Sequence, residues 1–147
     1  MDPSAARPLV IGWKEYLDLP EWGFRRLKVK ADTGARTSAL DVASYELRVD
    51  PERGPIAELR LALNRKHPER LTVVEVPVLR TVVVRNSNGM AEPRPLIEAV
   101  IRLGPVTKRV RLTVTNRAGM LFRMILGRQA LAGDFVVDVA RKYVLGR

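Results

Sequence analysis

The chain has 147 residues, 46% hydrophobic and 29% charged, with 26 Lys and Arg against 16 Asp and Glu for a formal net charge of +10. That length holds one domain with a real core and excludes two ordinary ones, and no low-complexity tract or solenoid repeat interrupts it. With no cysteine, disulfides, thiolate catalysis and thiolate zinc sites are excluded, while the positive charge calls for an acidic partner, either nucleic acid or acidic polypeptide.

Residues 1–10 read as a flexible N-terminus and 11–147 as a single domain. The opening "MDPSAARPLVIGW" has an acidic second residue and no apolar run of signal-peptide type, and no stretch reaches spanning length. A cytoplasmic protein without a membrane partner is therefore expected. The first clear strand is "RRLKVKA" (25–31), followed at once by Asp32-Thr33-Gly34-Ala35. "AELRLAL" (57–63) alternates as a strand does, and His67 follows in the Pro-flanked basic turn "NRKHPER". "LTVVEVPVLRTVVVR" (71–85) is long enough to bend or break at Pro77, which cannot donate to a ladder.

"NSNGM" (86–90) reads as a hairpin tip, because Asn88-Gly89 tolerates the positive φ that tight hairpin turns need. A long hairpin ending there is a candidate flap. "PLIEAVIRL" (95–103) and "VTKRVRLTV" (106–114) follow as strands. In the second, Val106, Val110, Leu112 and Val114 share one face, and Thr107, Arg109, Arg111 and Thr113 form the wet one. "GRQALAG" (127–133) has the look of one or two helical turns closed by Gly133, and "FVVDV" (135–139) and "KYVLG" (142–146) complete the strands. Many short strands with turn cues at "PERG", "NSNG" and "NRAG" predict a compact all-β barrel or sandwich.

Taken alone, Asp-Thr-Gly is a surface turn with Asp32 capping a backbone amide, and "MILG" is a plain core strand. Their pairing changes the reading. A strand delivering Asp-Thr-Gly-Ala, with a later "RMILGRQAL", resembles the retropepsin-like aspartic proteases. "GWKEYLDLPEWG", "KADTGARTSAL", "VRNSNGMAEPRPLI", "LFRMILGRQAL" and "FVVDVARKYVLG" extend the likeness to the bacterial RimB-type retropepsin-like endopeptidases, often labelled ATP-dependent zinc proteases. The resemblance covers the chain from about Ile11 to Gly146.

The resemblance implies a closed retropepsin-like barrel with one short helix near the C-terminus, and an aspartic endopeptidase. Asp32, Thr33 and Gly34 become the catalytic loop. Two carboxylates must share one proton, one acting as base toward water and the other as acid toward the carbonyl. One Asp-Thr-Gly per chain then calls for a homodimer. Thr33 is expected to bond across the twofold axis, and Gly34 to give the turn room. Ala35 is expected beneath the substrate, Asn88 and Gly89 above it in the flap, and Leu126 and Gly127 packed under the loop.

Arg36 stands where viral relatives carry an acid that pairs with the arginine after Ile-Leu-Gly, here Arg128. Two facing guanidinium groups repel, and a substrate carboxylate relieves that repulsion. Arg94 is a third candidate for the cluster, which suits an acidic, even glutamylated, protein tail. The bland reading has these arginines in water or paired with Glu92 or Asp134. No metal or other cofactor is expected. His67 is the one histidine, Asp41 stands where relatives often carry another, and no Gly-rich phosphate loop is present. The alternative from a different class is a non-catalytic basic β-barrel that binds RNA or a ribosomal surface, with "DTGA" as a structural turn only.

Overall fold

Alternation of apolar and polar residues in short runs builds an almost wholly β protein. The computed structural model describes residues 7–64, 66–85, 88–116 and 122–146. In chain order the elements are β1 (Leu9–Gly12), β2 (Lys14–Leu19), a 3-10 turn (Pro20–Trp22), β3 (Phe24–Ala31), β4 (Ser38–Asp41), β5 (Ser44–Asp50), β6 (Gly54–Ala62) and β7 (Leu71–Pro77). They continue with β8 (Arg80–Arg85), β9 (Ala91–Leu103), β10 (Val106–Thr115), β11 (Met124–Leu126), helix α1 (Arg128–Leu131) and β12 (Phe135–Asp138).

Strands β10, β4, β11, β3, β2 and β9 follow one another by hydrogen bonding, and β9 pairs back onto β10. Six strands therefore close a barrel, with β8 added outside β9. This is the expected all-β barrel with one short helix. A separate antiparallel sheet of β5, β6 and β7 packs Ala57, Leu59, Leu61 and Val76 onto the same core as Leu17, Val29, Leu40, Ile97, Leu112 and Met124. Strands β1 and β12 form a parallel pair of their own. Among the described residues no helix is long and apolar enough to cross a membrane.

The run 71–85 divides as its proline requires: β7 ends on Pro77 and β8 begins at Arg80. The β8–β9 hairpin turns around Gly89 at φ 77°, while Asn86 and Ser87 lie outside the described residues. So do three residues of the "NRAG" cue, 117–119. The "PERG" turn joins β5 to β6, where Asp50 accepts the backbone N–H groups of Glu52 and Arg53. Those bonds, then the Arg53 guanidinium, hold the Asp50 carboxyl below its ordinary range.

Three expectations need correction. Residues 142–146 form no strand, because their backbone is bound elsewhere: Tyr143 N–H donates to the Lys14 carbonyl, and Val144 and Leu145 N–H donate to the Glu15 carboxylate. Thr113 is not on a wet face. The second half of β10 pairs with both β4 and β9, and Thr113 and Thr115 are buried there. Finally, the N-terminal segment is already a strand at Leu9 and Val10, two residues before the expected domain start.

Glu15 was not singled out in the sequence, yet it is the most consequential buried charge. It is 1% exposed, and its carboxylate accepts N–H groups from Gly12 at 2.7 Å, Val144 at 2.8 Å and Leu145 at 3.3 Å. It thereby ties the end of the chain to the start of the barrel. Replacing Glu15 by Gln turns one acceptor into a donor facing N–H groups, which should cost about 3 kcal/mol. Chemical denaturation checks this; a change under about 1 kcal/mol would mean the clamp contributes little.

Candidate active site

The site grows from two segments far apart in sequence. Strand β3 pairs in parallel with β11, Ala31 beside Leu126, and the chain then leaves the barrel at Asp32. Asp32 N–H donates to the Leu126 carbonyl at 2.8 Å, and its own carbonyl accepts the Ala35 N–H at 3.1 Å. Its Oδ1 accepts the Gly34 N–H at 3.0 Å, which aims the carboxylate across its own turn. A Cβ on Gly34 would lie 3.2 Å from that oxygen, so a larger residue would crowd the carboxylate.

The second segment locks the first from below. Arg128 N–H donates to the Ala35 carbonyl at 2.7 Å and Gln129 N–H to the Arg36 carbonyl at 3.0 Å. Gly127 makes the crossing possible: a Cβ there would meet Thr37 C at 2.7 Å, Thr37 O at 2.8 Å and Ala35 O at 3.0 Å. Its N–H donates to Ser38 Oγ at 3.0 Å, and Ser38 is 1% exposed. Leu126 is buried beneath, as a supporting residue must be.

A cleft of about 650 Å³ opens over this loop. Asp32, Ala35, Arg36 and Thr37 form one rim, Ala39, Thr113 and Ile125 the floor, and Arg80, Val82, Val83, Val84 and Arg85 of β8 the opposite wall. Asp32 is the one carboxylate among the lining residues, beside five arginines: Arg36, Arg80, Arg85, Arg94 and Arg111. The chemistry available is therefore one acid–base group in a cationic field.

The structure redistributes the arginines read from the sequence. Arg36 is exposed on the cleft rim, but Arg128 is not part of the wall; its Nη1 donates to the Thr33 and Gly34 carbonyls at 3.1 and 3.2 Å. It braces the loop from its outer side. Arg94, 7% exposed, lines the cleft but is engaged by Glu92 at 3.0 Å, and Asp134 takes Lys108 instead. Thr33 and Gly34 are exposed and are not among the residues that line the cleft. Asn88 and Gly89 also lie off the cleft wall, where the Gly89 carbonyl accepts from Arg85 Nη1 at 2.9 Å.

Sequence reasoning missed Arg80, Arg85, Arg111, Gln129 and Ser38. The alternation in β10 carried a signal for Arg111, which faces the cleft side of its strand. Nothing in "TSAL" marks Ser38 as a buried acceptor. His67 sits on an exposed turn 3.4 Å from Glu69, and among the described residues no three His, Asp or Glu side chains converge as metal ligands.

The chain is 33% identical over 142 residues to a protein of Parasynechococcus marenigrum named "Probable alpha-L-glutamate ligase", covering 95% of this chain and 30% of that protein. Proteins of the same name from Desulfotalea psychrophila and Shewanella pealeana are 32% and 33% identical over 93% of the chain. The chain thus spans about 30% of the length of these curated relatives. Its fold matches the crystal structure of Lpg0085, a protein of unknown function from Legionella pneumophila, with a TM-score of 0.77 at 21% identity, covering 95% of this chain and 99% of that one. Residues 10–147 match the model of the retropepsin-like aspartic endopeptidase RimB, and the chain belongs to this RimB-like family.

Proposed function

We propose that the chain is an aspartic endopeptidase that works as a homodimer and hydrolyses peptide bonds in acidic, glutamate-rich protein tails. The observation that carries this reading is the single carboxylate, Asp32, set among five arginines in one cleft. A lone carboxylate is half of a water-activating pair, and the loop of half-buried Asp32 with exposed Thr33 and Gly34 is where a second copy supplies the other half. One Asp32 carboxylate takes a proton from water as it attacks the scissile carbonyl, and the partner, protonated, donates to the carbonyl oxygen. Collapse of the tetrahedral intermediate breaks the C–N bond as the amine takes a proton from the pair. The alanine at position 35, small and on the rim, leaves room for an extended substrate backbone.

The acidic preference rests on the arginines. Arg36 and Arg80 line the cleft with no carboxylate ion pair among the described residues, so each is open to a substrate carboxylate. The name of the curated relatives fits here as well. If their remaining length adds glutamate, the part matching this chain would remove it, two opposed activities on one tail.

Dimerisation and catalysis are tested together by Asp32→Asn. The variant should lose turnover of an oligoglutamate-tailed peptide, and mixing it in excess into wild type should poison activity through heterodimers. A fully active monomer by light scattering would sink the reading.

Charge selection is tested by three variants. Arg36→Gln and Arg80→Gln should each lower kcat/KM on glutamate-rich peptides roughly tenfold, the value of about 1.5 kcal/mol for a bond to a charged group, with a smaller effect on neutral peptides. Arg128→Gln should slow both peptide classes alike, because it braces the loop. Equal slowing by all three would remove the acidic preference from the cleft.

A further inference from the structure

One row of side chains crosses the barrel wall from strand to strand. Thr113 of β10 is paired with Ala39, Ala39 with Ile125, Ile125 with Lys30, and Lys30 with Lys14. The first three line the Asp32 cleft. Paired residues project to the same face of a sheet, so Lys30 and Lys14 continue the cleft floor beyond its edge. At about 4.8 Å per strand, Lys14 lies about 10 Å past Ile125. The next pair on that face is Tyr16 with Lys28.

Two of the cations on this face, Lys14 and Arg26, are held by rings rather than by acids. Tyr16 and Tyr143 are stacked with centroids 4.9 Å apart and planes within 16°. The Arg26 guanidinium covers Tyr16 at 4.8 Å, and Lys14 Nζ lies 5.3 Å from Tyr143 and 4.9 Å from Trp13. Among the described residues Lys14, Arg26, Lys28 and Lys30 have no carboxylate within 4.0 Å, whereas Arg60, Arg94 and Lys108 each have one within 3.0 Å. A cation–π contact fixes a charged side chain without neutralising it. Backbone strain points to the same place: Arg26 at φ 55° and Tyr143 at φ 52° are the two non-glycine residues with positive φ among those described. Such strain persists where the surroundings impose it, often at binding sites.

We propose that Lys30, Lys14, Lys28 and Arg26 form a secondary track that continues the cleft and binds the distal part of an acidic polypeptide substrate. The proposal rests on the peptidase reading above. Lys30, Lys28 and Arg26 stand two, four and six residues before Asp32 along β3 and its exit, so at about 3.3–3.6 Å per extended residue the track engages carboxylates from about two to about six residues from the bond being cut. A polypeptide fits better than nucleic acid, because Tyr16 and Tyr143 are already stacked on each other and covered by cations, which engages the ring surfaces that bases would use.

The test uses full-length Asp32→Asn protein and fluorescence anisotropy with labelled oligoglutamates of four and of twelve residues, and with an oligouridylate of twelve. The twelve-residue oligoglutamate should bind more tightly than the four-residue one, and Lys14→Gln with Lys28→Gln should weaken the long peptide about tenfold, as expected for two half-buried charge contacts within the range of surface ion pairs, while the short one changes little. Lys14→Arg with Lys28→Arg should restore long-peptide binding, which separates loss of charge from loss of fold. In the Asp32-bearing enzyme the same Gln pair should lower the ratio of kcat/KM for long over short peptide through KM. Equal weakening of both lengths, or none, overturns the track, and so does loss of oligouridylate binding with oligoglutamate binding intact. Failure of the Asp32-bearing enzyme to cut either peptide would count against the peptidase reading and leaves the binding comparison to decide the track.

Discussion

The structure depends on the crossing of two backbones at Gly127. Strand β11 delivers Leu126 beneath Asp32, and the next residue passes so close to Thr37 that no side chain fits between them. Four backbone N–H groups then tie residues 32–38 to residues 126–129: Asp32 N–H to Leu126, Arg128 N–H to Ala35, Gln129 N–H to Arg36, and Gly127 N–H to Ser38. Because both segments leave the same barrel wall, neither can shift without breaking the β3–β11–β4 register. On the peptidase reading proposed above, a carboxylate that meets a second one to within hydrogen-bonding distance needs this degree of fixity.

The same crossing explains why Arg128 and Arg36 have parted roles. The helix begins immediately after Gly127, so the Arg128 guanidinium is brought under the loop, where two carbonyls accept it. Arg36 leaves the loop one residue after Ala35 and lies on the rim. Repulsion between the two guanidinium groups is thus removed by geometry rather than by a substrate carboxylate. The cationic field of the cleft comes instead from β8, β9 and β10, whose arginines face Asp32 from the other side.

How much of this was legible in the sequence follows from the range of each interaction. Strand alternation is local, and β3, β6, β7, β8 and β10 were readable from it, including the break at Pro77. The Asp-Thr-Gly and Ile-Leu-Gly segments were readable as a pair through their resemblance to the retropepsin-like proteases, since each alone reads as a turn or a plain core strand. What escaped reading depended on partners distant in sequence. Ser38 is 89 residues from Gly127, and Glu15 is 129 residues from Val144, so neither polar residue announces the backbone it satisfies. The segment at 142–146 looked like a strand for the same reason: its apolar residues are ordinary, and only the buried carboxylate of Glu15 decides where its N–H groups go.

Glu15 also connects the fold to the cationic face. Each of the two strained residues stands next to a backbone N–H held by a carboxylate: Arg26 N–H donates to Asp18 at 2.9 Å, and Val144, following Tyr143, donates to Glu15 at 2.8 Å. A left-handed conformation costs roughly 1–2 kcal/mol for a residue with a Cβ, and a hydrogen bond to a charged acceptor contributes about as much. The carboxylates therefore offset the strain locally, and the offset holds the Tyr143 ring against Tyr16 and the Arg26 guanidinium over it. Asp18 and Glu15 are both occupied by backbone donors in this arrangement, which leaves neither to neutralise the cations beside them. A barrel that had used those two acids in ion pairs would lose the Glu15 clamp on the end of the chain, and with it both the ring stack and the open positive charge next to the cleft.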